Sequence, residues 1–347
     1  MKNSMVRKTP WFVLAMILAF LTMSAGPATA QDAGAAAAAQ DQGAAVAPDQ
    51  PAAAPAADQK EEVPTTAGPI LTDTPIPIGE HQASLQVQGA LNFYANDFSR
   101  DWRAVSARGN FYTFDLPVKF TYGPVKNLET YIVAPFLVNW CNDLDRSATG
   151  PDGERAASYA GIGDITTVAK YLVLEEGDIR PAVSLEGGVG WPSGHASNLN
   201  PQLLGQDAIG TGSFNFTTGF NLFKYVKPFL LSSNIWLNSP INLFKLRASD
   251  IPQDVRNREN VTFNLAAEYP VNKQWVLLLE MFSTWAWSNP GTESLGFQSP
   301  TTLLGFLPGI EYLLNEKWNF EAGCGVDAIG KFGSQYITPT VTVTYNF

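Results

Sequence analysis

Val261-Thr-Phe-Asn-Leu-Ala-Ala-Glu-Tyr269 alternates along its length. Val261, Phe263, Leu265, Ala267 and Tyr269 fall on one side, and Thr262, Asn264, Ala266 and Glu268 on the other. Side chains leave a β-strand on alternate faces, so a period of two marks a strand with one apolar face. Phe214-Asn-Phe-Thr-Thr-Gly-Phe-Asn-Leu222 repeats the pattern, and so does Ala83–Phe93, with Leu85, Val87, Gly89, Leu91 and Phe93 on one side. Working outward from these, twelve such segments fall at 83–93, 111–122, 128–140, 162–174, 180–191, 212–222, 227–237, 260–269, 274–287, 301–312, 317–328 and 335–347. Several have the length that a tilted strand needs to cross a bilayer core, about 9–11 residues.

The connections sort by length. Short turns such as Gly123-Pro-Val-Lys126, Glu175-Glu-Gly-Asp178 and Pro270-Val-Asn-Lys273 alternate with long polar loops rich in Gly and Asp. Short turns at one end and long loops at the other are the signature of an outer-membrane barrel with its termini in the periplasm. Charge placement agrees. One face of the twelve segments carries no charged residue, whereas the other carries Asp115, Lys119, Glu129, Asp164, Lys170, Glu186, Lys227, Glu268, Glu280, Glu311, Glu321 and Asp327. A charge on the lipid face at mid-depth costs about 2–4 kcal/mol, and a soluble sheet has no comparable ban. Aromatic residues cluster near segment ends on the uncharged face, among them Tyr122, Trp140, Trp191, Trp275, Trp285 and Trp318. The fold class is therefore all-β, an up-and-down antiparallel transmembrane barrel of about twelve strands with a disordered, Ala/Pro-rich N-terminal segment.

Pro117, Pro135, Pro181, Pro228, Pro308 and Pro339 fit this least well. A closed barrel has no edge on which to hide a missing N–H donor, so they are expected at rims or bulges.

Upstream, Lys2, Arg7 and Lys8, an apolar run from Trp11 to Ala25, and Ala28-Thr-Ala30 read as a signal peptide over 1–30. Gln31 to Gly68 is an Ala/Gln/Asp/Pro tract without an aromatic residue, part of a flexible periplasmic linker over 31–80. The barrel takes 81–347. Removing the signal peptide's three basic residues moves the net charge from −10 to −13. An acidic chain with no Lys/Arg cluster is a poor nucleic-acid binder, because phosphate neutralisation supplies most of that affinity. Past the signal peptide, no run of 18 uncharged apolar residues follows that would make a membrane helix.

Little in the chain carries chemistry. The two histidines, His81 and His195, lie before the first strand and in the loop after the fifth. His195 has Ser193 and Ser197 near it but no local acid to complete a triad. Cys141 and Cys324 have no His or second Cys at metal-ligand spacing, and their pairing stays open. The chain is therefore expected not to be an enzyme and to use no catalytic residue, metal or cofactor. The nine acids of the inward set make the lumen cation-attracting if it holds water. In a closed lumen they pair with Lys119, Lys170 and Lys227 instead, and a twelve-stranded bore is compatible with either.

Gly161-Ile-Gly-Asp-Ile-Thr-Thr-Val-Ala-Lys-Tyr171 is followed by Pro181-Ala-Val-Ser-Leu-Glu-Gly-Gly-Val-Gly-Trp-Pro-Ser-Gly194 and then Gly210-Thr-Gly212. This succession resembles the family named for the meta-pathway of phenol degradation, outer-membrane barrels described as transporters. The likeness covers about 82–347 and is sharpest at 161–222. Trp191 departs from it, standing where an aliphatic residue is expected. The resemblance implies passage of small, including aromatic, organic compounds and supplies no catalytic residues. The chain ends Val-Thr-Val-Thr-Tyr345-Asn-Phe347, and a terminal Phe after an alternating strand resembles the signal read by the barrel assembly machinery. The expected partners are that machinery, outer-membrane lipid and small organic solutes, with the oligomeric state open. The function expected is a passive channel in the outer membrane. The alternative is a non-conducting barrel tethering an envelope complex.

Overall fold

The computed structural model describes residues 64, 66–107, 109–146, 149–241, 259–287 and 300–347. The signal peptide and the linker up to Val63 lie outside the described residues. Among the described residues, fourteen strands form one antiparallel sheet: β1 Ala83–Phe98, β2 Ala104–Ser106, β3 Asn110–Val125, β4 Leu128–Asn142, β5 Ala157–Ile162, β6 Ile165–Leu174 and β7 Ala182–Trp191, then β8 Phe214–Val226, β9 Phe229–Ile241, β10 Asn260–Pro270, β11 Trp275–Ala286, β12 Thr301–Leu313, β13 Trp318–Lys331 and β14 Ser334–Asn346. Two of them add no wall position. β2 is a short hairpin arm on β1, and β5 and β6 pair with successive halves of β4, Cys141 facing Ala157 and Leu128 facing Tyr171. The sheet closes through β1 and β14, Val87 facing Val343, so the barrel has twelve staves.

The apolar residues are on the outside. On β11, Leu277 and Leu279 are 48% and 55% exposed, whereas Glu280 between strand neighbours is 0% exposed. On β10, Leu265 and Tyr269 face out while Ala266 and Glu268 are buried. A soluble protein would invert this arrangement; a lipid-facing wall requires it. Aromatic side chains band the ends of the wall. Trp275 packs on Tyr312 and Trp318 on Tyr345 at centroid distances of 4.6 and 4.7 Å, and Tyr112 stacks on Trp140 at 5.2 Å.

Four prolines sit in mid-strand rather than at rims, and the ladders lapse where their missing donors would point. Pro117 and Pro135 face each other across β3–β4. On their outer sides, the β1–β3 ladder passes from Val87/Val118 to Ala90/Asp115, and β4 meets the break between β5 and β6. The β12–β13 ladder passes over Pro308, and the β1–β14 ladder over Pro339. The lost hydrogen bonds are thus absorbed by gaps in single ladders instead of bulges. Cys141 and Cys324 are both free thiols.

Candidate functional site

The stretch from Thr66 to Ile78 contacts inward-facing residues on opposite sides of the barrel. On one side, Ile78 N–H donates to Glu129 Oε2 (2.8 Å), and Lys170 Nζ lies 2.9 Å from Glu129 Oε1 and 3.0 Å from Asp73 Oδ1. Lys170 also donates to the Thr74 carbonyl (2.8 Å). On the other side, Glu280 accepts the backbone N–H groups of Ile70 (2.8 Å), Leu71 (3.1 Å) and Thr72 (2.7 Å). Thr66 Oγ1 donates to Glu311 (2.9 Å) and Glu268 (3.1 Å), and Ala67 N–H donates to Glu311. β4 and β6 are separated from β10, β11 and β12 by three staves one way round and four the other. The segment therefore spans the lumen near its diameter, close to the short-turn ends of these strands.

Its seat has a physical logic. Three successive N–H groups converging on one carboxylate replace the water that Glu280 gave up on burial. Ile70 lies over Gly309 and Gly323, which face each other across β12–β13. A Cβ on either would come within 3.3 and 3.0 Å of Ile70 Cδ1, so the glycine pair is the room in which that side chain packs.

The remaining predicted lumen residues separate into several environments. Glu186 accepts from Tyr131 Oη (3.2 Å) and Asn221 Nδ2 (3.0 Å). Lys119 places its ammonium 4.1 Å from the Tyr131 ring. Glu321 is buried opposite Glu311, so Glu268, Glu280, Glu311 and Glu321 make an acidic patch on four consecutive strands. Asp115 is half-buried, and Asp327 accepts the Tyr336 N–H (2.8 Å) at the long-loop end of the wall.

Two residues stand elsewhere than the strand pattern predicts. Lys227 is exposed in the turn between β8 and β9, because β9 begins at Phe229 and not at 227. Asp164 stands at the break between β5 and β6 and ties loops together. Its carboxylate accepts from Gly194 N–H (2.9 Å), Thr211 N–H (2.7 Å) and Thr211 Oγ1. Ser193 Oγ accepts the Ile165 N–H (2.8 Å) and donates to the Gly163 carbonyl (3.0 Å), so its hydroxyl is held in this knot. Gly194 and Gly210 approach so closely that a Cβ on either would meet the other's backbone at 2.7 Å or less. The Gly-Ile-Gly-Asp, Pro-Ser-Gly and Gly-Thr-Gly pieces are thus one interlocked structure.

That knot lies inside the segment 142–328, which matches the family described as "Putative MetA-pathway of phenol degradation". The chain belongs to this family. Beside the knot, at the end of β7, Trp191 Nε1 donates to Thr167 Oγ1 (3.0 Å) and its ring packs edge-on against Phe214 (5.7 Å). Among solved structures, the chain is similar to the COG4313 outer membrane channel from Pseudomonas putida F1, with a TM-score of 0.62 at 12% identity, covering 81% of this chain and 100% of that one. At that identity the likeness is one of fold. It also aligns with a KdgM porin (TM-score 0.42, 9% identity, 76% and 99% coverage) and with the CymD monoaromatic hydrocarbon channel (0.40, 10%, 78% and 89%). No curated protein matches it.

The inserted segment is the element of the lumen that the strand pattern does not reveal. A signal for it exists in the sequence: after the Ala/Gln tract, Ile70-Leu-Thr-Asp-Thr-Pro-Ile-Pro-Ile78 brings apolar side chains that a solvated linker does not need.

Proposed function

We propose that this MetA-pathway barrel is an outer-membrane channel for small organic solutes, closed at rest by its own segment Thr66–Ile78. The observation that carries the reading is that segment's seat on Lys170, Glu129, Glu280 and Glu311, because it places chain across the bore where a solute would pass. The wall supports membrane residence, with leucines outside and carboxylates inside. The short turns face the periplasm in this reading, with residues 1–30 removed on export and 31–62 left as a periplasmic leader to the inserted segment. Passage is passive, and the family's description favours aromatic compounds. Tyr345 and Phe347 serve assembly: Phe347 packs edge-on against Tyr345 (5.0 Å), and its N–H closes onto the Ala83 carbonyl (3.0 Å).

The segment also favours a second reading, a barrel that never conducts and serves as an anchor. Swelling of proteoliposomes in small neutral solutes separates the two. Uptake that rises when the segment is loosened supports the channel, and impermeability of every variant supports the anchor.

A further inference from the structure

The long-loop end of the lumen holds a separate cavity of about 340 Å³, lined by Tyr94 (β1), Phe111 and Thr113 (β3), Asn139 (β4), Tyr336 (β14) and Gln206 from the β7–β8 loop. Tyr94 stands between the other two rings, with centroids 5.4 Å from Phe111 and 5.7 Å from Tyr336. Three adjacent strands thereby present one continuous aromatic wall. The facing edge is polar, and most of its hydrogen bonds are already made. Thr113 Oγ1 donates to Asn139 Oδ1 (2.8 Å), and Asn139 Nδ2 donates to the Gln206 carbonyl (3.0 Å). The Gln206 side chain differs. It is only 9% exposed, and its Nε2 reaches the Leu204 carbonyl at 3.5 Å, the outer limit of a useful bond. A buried amide donor held this loosely is unfavourable unless another acceptor takes it up.

We propose that this cavity is a recognition site for a neutral, flat molecule of one or two rings bearing a hydrogen-bond acceptor. The ring lies against Tyr94, flanked by Phe111 and Tyr336, where edge and offset contacts with aromatic faces are favourable. The acceptor takes the N–H of Gln206 Nε2. The size suits this ligand, since an apolar cavity of about 150 Å³ already holds benzene. Charge excludes anions: none of the six lining residues named is ionised, Asp327 Oδ2 accepts the N–H of the lining residue Tyr336 (2.8 Å), and Asp97 stands opposite Ser334, which also lines the cavity. The proposal rests on reading the lumen as a solute path, with this site holding the solute on the long-loop side of the inserted segment.

Calorimetric titration of the full-length barrel in nanodiscs tests it with three probes. Acetophenone has the flat ring and a neutral acceptor, cyclohexyl methyl ketone has the acceptor without the flat ring, and benzoate adds a charge. Acetophenone should bind about tenfold more tightly than either, the scale of one or two aromatic contacts. Gln206→Leu should weaken acetophenone about tenfold, the scale of one buried hydrogen bond, and Tyr336→Leu should erase the preference for the flat ring. Equal binding of the two ketones, equal binding of benzoate, no binding at all, or indifference to Gln206→Leu would each overturn the site. Should Tyr336→Leu fail to give a heat-modifiable barrel, the three probes on the unaltered protein still decide. Solute uptake measured on the same preparations keeps the two readings apart. Uptake without ring preference removes the site alone, and ring preference without uptake removes the channel alone.

Discussion

Lys170 on the barrel wall and Asp73 on the inserted segment form a 3.0 Å ion pair whose side chains are 2% and 16% exposed. Glu129 completes the group at 2.9 Å from the same ammonium. One buried cation thus joins a wall acid to a segment acid. Removing the cation leaves two acids facing each other out of water, an arrangement that costs about 3–5 kcal/mol in buried pairs.

Lys170→Met should therefore loosen the segment and lower the barrel's unfolding temperature. Asp73→Asn should loosen the segment while sparing the wall, because the Glu129–Lys170 pair survives it. Protease cleavage between residues 66 and 78 in folded protein is the readout. Equal resistance in both variants and the unaltered chain would show that the pair does not hold the segment.

Acid should act on the same pair. Burial works against the ionised form of Asp73, but Lys170, Lys119 and the hydrogen bonds from Lys170 and Thr74 outweigh it, holding the carboxyl below its ordinary 3.8. A depressed value means a contribution fully present above the ordinary value and lost as pH falls through the folded-state value. Accessibility of a cysteine placed at Ile70 should therefore stay flat from neutral pH down to about 4, as far as this pair governs it. The additional step below that should be missing in Asp73→Asn; a step of equal size in that variant would assign it to other carboxylates.

The strands were readable because their information is local. Alternation at Val261–Tyr269 marks β10, which spans Asn260–Pro270, and the aromatic belts follow from the same parity. The knot around Asp164 was half legible: its three pieces stand out as motifs, but nothing local says that a carboxylate at a strand break will turn to Gly194 and Thr211. The inserted segment falls within what the sequence presents as flexible linker over 31–80, yet residues 70–78 are tied to the wall. Its contacts with the wall join residues from 51 positions apart, Ile78 and Glu129, to 245 apart, Thr66 and Glu311, and no periodicity encodes a pairing between irregular chain and a distant wall. The mid-strand prolines differ from the expected rim positions for a related reason, since whether a donor is missed depends on a neighbouring strand's register.

Orientation can be tested from outside. Cysteines at Lys126 and Lys273, both in short turns, should resist an impermeant thiol reagent in intact cells, and one at Asp152 in the β4–β5 loop should react. The reverse pattern would put the long loops in the periplasm.

Deleting Phe347 removes an exposed aromatic and the hydrogen bond to Ala83 at the seam between β14 and β1. The yield of heat-modifiable barrel should fall several-fold, while molecules that insert should show unchanged solute uptake. An unchanged yield would mean that the terminal aromatic is incidental to assembly.

Single-channel recording in planar bilayers bears most directly on the closed-channel account. The full-length protein should show a low conductance with brief openings. Glu280→Gln with Glu311→Gln, which removes the charges that hold residues 66–72, should give larger and longer openings. Those openings should favour cations through the remaining acids Glu268 and Glu321, and the preference should fade as salt rises, with the Debye length falling from about 10 Å at 0.1 M to about 3 Å at 1 M. A large, steady conductance in the unaltered protein, or traces that the double replacement leaves unchanged, would contradict the claim that Thr66–Ile78 closes the pore.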